Sequence, residues 1–504
     1  MCHSTSIGVH PLVVDLPGIS SYEREWFKIF RLQTAQDLPG LFQSKFWATI
    51  IPQVSHSEPA VLHAVVALGA LHQRSVRCGM SIPAQDMTDK LLQFGLSHFN
   101  KSVSQLYKRM EDRESARILL MSCILFFSIE LLRGHYGTAM LHLHNGRNIL
   151  YDRLAQSPSV GPENVLILPS TSLSIEDELV EIFARLDIQS THFGSNAPRF
   201  RLLTETSAKS AETRIPETFS GLREARQNFD CLANAIYRFI TISPDPAFHN
   251  PANPIAVTQQ NGLLEKLQEW SQAFEMCWKR LSTSPSPSPG PIPTAPSREA
   301  KTATLLRLQY KFLHVKLSVC NSCGVETIYD DYINDFEAII SLAGDLIGDD
   351  GRNEAASSTP WRLPTFSLDM GLIQPIYFTA MKCRVPQLRR RALSVLSSTP
   401  HREGMWDAAL SATVAARTIQ LEEAGLEDAG FSLRGGGTND QKRMPFLPES
   451  ARFYQVLIHI LGEGAEGATL YCVRRRSNSP GDVIVREEYC AFDGGALVRE
   501  ILLS

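Results

Sequence analysis

Residues 55–73 read SHSEPAVLHAVVALGALHQ, and the stretch opens with the signals that start a helix. Ser55 and Ser57 can cap it, Glu58 suits the positive helix end, and Pro59 fits the first turn, where its missing N–H costs nothing. From there Val61, Val65, Leu68 and His72 recur at helical period, and Leu62, Val66 and Ala70 widen the apolar stripe. A stripe that wide must be covered on more than one side, so this helix belongs between neighbours rather than on a surface. The chain is therefore expected to build layers of helices around it.

Partners occur on both sides in the sequence. In YEREWFKIFR (22–31), Tyr22, Trp26, Phe27 and Phe30 stand at helical spacing with charges between them. Residues 89–110 form an amphipathic helix with Leu92, Leu96, Phe99, Val103 and Leu106 on its apolar side. The segments 116–133 and 135–154 read as a helical hairpin, with Gly134 placed to end the first helix in a left-handed conformation. Tyr136, Ala139, Leu143 and Leu150 line the second. The hairpin loosely resembles a tetratricopeptide unit, but no period of about 34 residues recurs. Further helices are expected near 175–190, 219–240, 258–281, 299–320, 330–346, 370–397 and 404–425.

Between them lie an exposed Ser/Pro-rich loop at 155–174 and a Gly/Asn/Ser-rich loop at 348–360. Residues 282–297, STSPSPSPGPIPTAPS, form an exposed linker, since alternating proline forbids helix and leaves little to bury. Only the tail has strand character, at 452–475 and 481–491, where Val456, Ile458 and Ile460 alternate with Leu457, His459 and Leu461 before a Gly-rich turn. The expected fold class is mainly α, helical hairpins packed in an array, with a small C-terminal β element. Residues 1–20 are a short extension, 21–425 the helical domain, and 426–504 a loop and small β-rich tail.

Composition narrows the function. Of 504 residues, 43% are hydrophobic and 20% charged, enough apolar material for a large core. The net charge is -4, from 49 Lys+Arg against 53 Asp+Glu. A nucleic-acid coat protein is basic, because counterion release at phosphates drives non-specific binding, so this balance argues against autonomous DNA binding. The 10 cysteines are scattered, many inside apolar runs such as Met121–Ile124, as in a reducing intracellular compartment. No secretory signal is expected in the first twenty residues. The longest apolar stretch, Ile118 to Leu132, is interrupted by Ser122, Ser128 and Glu130, and reads as a core helix rather than a membrane span.

Each motif that could carry chemistry has a plainer structural reading. Asp330-Asp331-Tyr332-Ile333-Asn334-Asp335 is similar to the aspartate-rich motif of helical terpene cyclases, where carboxylates hold magnesium. No second metal-binding element follows it, and Asp residues at a helix start serve equally well as caps. Gly462-Glu463-Gly464-Ala465-Glu466-Gly467 matches a dinucleotide fingerprint as a string, but its glutamates oppose a pyrophosphate and a strand-like run follows where a helix is required. Cys320 and Cys323 are a Cys-x-x-Cys pair without a second pair to complete four zinc ligands. His142 and His144 point to different faces of one helix. Ser432 lacks the final glycine of a nucleophile elbow. The basic triplets Arg389–Arg391 and Arg474–Arg476 read as solvated surface, with nuclear import a lesser alternative. No catalytic, cofactor-binding or metal-binding residue is assigned, and no cofactor is expected.

Family resemblance supplies what local chemistry does not. Glu23–Phe27, Thr34-Ala35, Leu38–Phe42, Phe46-Trp47, Ser55–Val61 and His63–His72 resemble the start of the fungal-specific transcription factor domain, the helical effector region of fungal binuclear zinc-cluster regulators. So do Ser122–Phe126, Glu130–Tyr136, Ala139 and His142–Gly146. Glu178–Val180 through Leu186–Ser190, Tyr329–Tyr332 with Phe336 to Ala343, and Arg402–Asp407 fit the same pattern in the same order. The resemblance implies a transcriptional regulator or co-regulator in the nucleus. Relatives read DNA through an N-terminal six-cysteine zinc cluster. Here Cys2 stands alone, and the 504 residues contain no Cys-x-x-Cys-x6-Cys run. The expected partners are therefore other transcription factors or regulatory proteins, with DNA met only indirectly unless an upstream cluster belongs to the gene. A helical scaffold without a transcriptional role is the alternative, and a terpene-cyclase-type enzyme a distant third.

Limited proteolysis tests the organisation. The first cuts should fall within 282–297, and protection of that segment would place it inside the packed domain.

Overall fold

The computed structural model describes residues 20–78, 89–108, 115–155, 164–171, 174–193, 197–209, 214–241, 251–283, 297–322, 324–348, 364–398, 401–428, 447–460, 467–475, 483–491 and 496–503. The linker residues 284–296, most of the 348–360 loop, the turn residues 461–466, Cys323, Ser432 and residues 1–19 lie outside them.

Helix α1 (Ser21–Ile29) starts on a capping box, in which Ser20 and Glu23 each satisfy the other's backbone N–H. The decisive stretch becomes α2 (Pro59–Cys78), packed against α1, α3 (Lys90–Lys108) and α4 (Ser115–Arg133). Val61, Val65, Val66, Leu68 and His72 are fully buried. Gly69 sits where α1 crosses, and a Cβ there would lie 2.7 Å from the Trp26 carbonyl oxygen. Helix α4 and α5 (Tyr136–Ala155) form the expected hairpin, joined at Gly134 with φ 78°.

The chain then runs through β1 (Val165–Leu168), α6 (Ile175–Ser190), β2 (Arg201–Thr204), α7 (Leu222–Thr241), α8 (Pro254–Thr283), α9 (Arg298–Val319) and α10 (Ile333–Ile347). After β3 (Phe366–Ser367) come α11 (Ile373–Lys382), α12 (Pro386–Ser398), the hairpin β4 (Arg402–Glu403) and β5 (Trp406–Asp407), and α13 (Ala408–Asp428). One continuous apolar core runs from Trp26 to Ala415. The tail is an antiparallel four-stranded meander, β6 (Gln455–Ile460), β7 (Gly467–Arg475), β8 (Val483–Ala491) and β9 (Ala496–Leu503). Leu470 and Cys472 on β7 pack with Phe453 against Val414 and Leu421 of α13. The mainly α class with a small C-terminal β element is the architecture found. Among the described residues no helix is long and apolar enough to cross a membrane.

Four expectations need correction. The 155–174 segment is not simply an exposed loop: β1 pairs in parallel with β2 and buries Leu166 and Leu168. The 370–397 helix is two, because Pro386 has no N–H to continue the ladder and drives the residue before it out of helical geometry. Residues 402–407 form a hairpin, so the last long helix begins at Ala408 rather than 404. Residues 327–332 form a tight 3-10 turn ahead of α10, and Asp330 accepts from both terminal nitrogens of Arg452, at 2.9 and 2.7 Å, instead of capping the helix.

Arg389 is also not solvated surface. It is fully buried, 2.7 Å from Glu422 on α13, and Glu422 meets Arg384 at 2.9 Å on its other oxygen. Arg384 and Lys382 both reach Glu326, at 2.8 and 2.7 Å. Burial pushes the Glu422 carboxyl up, but Arg384 and Arg389 pull harder and hold it at about 2.

Glu422→Gln should therefore destabilise the fold by about 3–5 kcal/mol, because buried Arg389 loses its counter-charge and buried Arg384 keeps only Glu326. Urea unfolding at pH 7 measures this. The parent should lose the contribution as pH falls from about 4.5 toward about 2, since the unfolded carboxyl takes up its proton first, and the variant's stability should fall less steeply over that window.

Candidate functional site

Helical spacing aims two rows of charge into the centre of the molecule. On α6, Glu178, Glu181, Arg185 and Gln189 lie three or four residues apart and share a face; on α7, Arg223, Arg226 or Gln227, Asp230, Ala233 and Tyr237 do the same. The rows meet across a cleft closed by Gln309, Phe312 and Leu313 of α9 and by the segment from Asp369 to Pro375. The free space inside the cleft is about 40 Å³, room for a few waters rather than for a larger molecule. A larger groove with about 620 Å³ of free space, lined by Gln36, Lys45, Glu178, Arg223, Arg298 and Glu299 among others, lies against the same Arg185 and Arg226. The two arginines thus border both spaces.

Asp369 is their shared anchor. Its Oδ1 lies 2.9 Å from an Arg226 terminal nitrogen and 3.3 Å from Arg185 Nε. Arg185 also approaches Glu181 at 3.5 Å, and the Arg226 guanidinium lies 3.4 Å from the centre of the Phe42 ring. Phe42 is itself held, because Arg298 donates to the carbonyls of Gly40, Leu41 and Phe42 at 3.0, 3.2 and 2.8 Å. Gln227 bridges Glu181 Oε1 and the Pro169 carbonyl at 2.7 and 2.9 Å, tying α7 to the end of β1. Gln189 donates to the Leu368 carbonyl at 2.7 Å, and Gln309 to the Met370 carbonyl at 2.9 Å, so both flanks of Asp369 are pinned.

Asp230 is the odd member. It stands 3.9 Å from Arg226 and 4.0 Å from Arg185, and its Oδ2 is buried without a hydrogen-bond donor in reach. Burial pushes its carboxyl up to about 6, against the pull of both arginines. Nearby, Lys316 sets its ammonium 4.8 Å from the centre of the Tyr237 ring, and burial brings it down to about 8. The walls of the cleft are arginines, carboxamides and aromatic rings, and its free space is only a few waters in size.

Among the described residues, none of the motifs singled out along the chain lines this cleft. Asp330 is engaged with Arg452, and Cys320 is half-buried with its thiol pushed up to about 12 by burial. His142 lies against the Phe126 ring. Gly467 begins a strand, not a helix. Arg185, Arg226 and Asp369 were missed, although charges repeating every three or four residues on otherwise apolar helices were the available signal.

The profile described as the fungal specific transcription factor domain matches residues 27–318. The aspercryptin biosynthesis cluster-specific transcription regulator of Emericella nidulans is 28% identical over 189 residues, covering 37% of this chain and 28% of that protein. The chain thus spans less than a third of the relative's length. No solved structure matches.

The two aspartates of the cleft should respond oppositely to removal of their charge. Asp369→Asn should destabilise by about 3–5 kcal/mol at pH 7, because two buried guanidiniums lose the carboxylate they share. Asp230→Asn should be neutral or stabilising there. The Asp230 carboxyl is raised when folded, so its burden on stability is relieved as pH falls through about 6 and is in force at pH 7. Thermal unfolding of both variants across pH 4–8 checks the contrast.

Proposed function

Because the chain belongs to the fungal specific transcription factor domain family, we propose that it is a nuclear regulator or co-regulator of transcription that reaches promoters through a DNA-bound partner. The family match over residues 27–318 carries the regulatory reading. The relative named as a cluster-specific transcription regulator supports it. The role is regulatory rather than enzymatic, as the family's is. The groove beside Arg185 and Arg226 is where a small effector would act, because its walls come from residues 35–49, α6, α7 and the start of α9, and an occupant would shift their packing together.

Action through a partner is supported by two properties of these residues. Base readout needs an element that enters a groove, which the family supplies from its six-cysteine cluster, and the 504 residues hold no such run. The net charge of -4 leaves the non-specific phosphate attraction weak as well.

Two assays run side by side test this. Chromatin immunoprecipitation should find the protein at promoters, while the purified chain should give no sequence-selective mobility shift. Selective binding by the purified chain would remove the need for a partner. Exclusion from nuclei would favour the scaffold reading instead.

A further inference from the structure

The packing of α1, α2 and α3 encloses a second polar cluster, which neither the cleft nor the Glu422 network uses. His63 on α2 and His98 on α3 turn their Nδ1 atoms toward each other at 3.1 Å. Glu23 on α1 sets Oε1 3.5 Å from His98 Nε2. One donor atom from each of the three residues lies within 4.8 Å of the other two. His98 is 2% exposed, with the Phe94 ring centre 4.5 Å from its own, whereas Glu23 and His63 are only half-buried. The cluster therefore has a closed side and an open one.

Two imidazoles that face each other through nitrogen have two ways to be satisfied. If one carries a proton, it donates to the other. If neither does, a cation between them takes both lone pairs. The facing Nδ1 atoms and the buried side of the cluster hold both rings in place for a shared ion. The spacing suits a metal: tetrahedral zinc with bonds of about 2.0 Å to nitrogen sets two such donors roughly 3.3 Å apart. Glu23 faces the far nitrogen of His98, the position from which a carboxylate orients a metal-bound imidazole, and one of its oxygens also lies within 4.8 Å of a donor atom on each ring, in reach of the same ion. Lys101 lies 3.9 Å from the same oxygen but is half exposed and can turn to solvent.

We propose that His63, His98 and Glu23 form a binding site for a divalent zinc-type cation, with the two Nδ1 atoms as ligands, Glu23 closing the site, and water completing coordination on the His63 side. No four-ligand set is visible along the sequence; this set arises only because three helices cross. With three protein donors and an open position, it resembles an exchangeable site more than a sealed structural one. A bound ion would fasten α1 to α2 and α3.

The test uses the full chain, stripped with chelator and titrated with cobalt(II) and then zinc. Cobalt should give a visible absorption band that saturates at one equivalent and is bleached by zinc, and zinc should raise the melting temperature. His63→Ala, on the open side, should weaken binding by roughly tenfold or more, and Glu23→Gln, which keeps the capping geometry, by a comparable factor. Absence of the cobalt band, or affinity unchanged in both variants, would overturn the site and leave a histidine–histidine hydrogen bond in its place. If His63→Ala does not fold, Glu23→Gln decides alone.

Discussion

The Glu403 carboxylate occupies a buried position at the junction of three parts of the chain. Its two oxygens accept from the backbone N–H groups of Gly371, Leu372 and Ile373, at 3.0, 2.9 and 2.9 Å, and satisfy the free start of α11. His401 Nε2 stands 3.0 Å from the same group. The fit requires glycine at 371, since a Cβ there would lie 2.2 Å from Glu403 Oε1. Around it, β4 pairs with β3, the Gly404 N–H donates to Ser367, and the Leu368 N–H donates to Leu38, near the N-terminal end of the domain. Glu403 thereby fixes the segment that carries Asp369. Without it the two arginines of the cleft would lose the carboxylate they share.

That dependence explains why so much charge is buried in a mostly apolar helical protein. A buried ion pair gains little over a well-packed apolar substitute, but removing one partner is costly. Arg185 and Arg226 are compatible with the interior only while Asp369 and Glu181 stand beside them. Arg384 and Arg389 depend in the same way on Glu422. Such networks tolerate few alternative packings, so they select one arrangement of helices whose apolar faces could otherwise slide. The same reasoning applies at the tail. Arg452 grips Asp330 with both terminal nitrogens, and Glu449 accepts from the N–H groups of Glu326 and Thr327, which docks residues 447–453 on the start of the 3-10 turn.

The layered helices were legible because apolar periodicity is a local property. Helix α6 matches its expected span, α9 begins and ends within a residue of it, and Gly134 ends its helix as read. The departures share a physical cause, which is that distant residues decide them. Strand β1 exists because β2 lies beside it, and the 402–407 hairpin because 366–367 offers an edge. Asp330 read as a helix cap because its partner is 122 residues away. The Arg389 triplet read as surface because nothing within its own helix shows that Glu422 waits on another. The central cleft was invisible for the same reason: its arginines look like ordinary charges until α7 is laid across α6. The Glu23, His63 and His98 cluster is assembled in the same way, by three helices that meet only in the fold.

These contacts also bear on how much chain the regulatory domain needs. The family match ends at 318, yet Asp369, which neutralises Arg185 and Arg226, lies beyond it, as do Glu403, which positions Asp369, and α11, which lies beside α9 in the core. A fragment cut at 318 would keep both arginines and lose their shared carboxylate, leaving Arg185 to Glu181 and Arg226 to the more distant Asp230. The segment from 366 to 407 is thus part of the same physical unit as the matched helices, and the cleft belongs to both. An effector in the adjoining groove would touch Arg185 and Arg226 from inside the match and, through their pairing with Asp369, bear on the segment outside it. Its binding energy would be felt across that boundary, through Glu403 and α11, by the region that carries the tail.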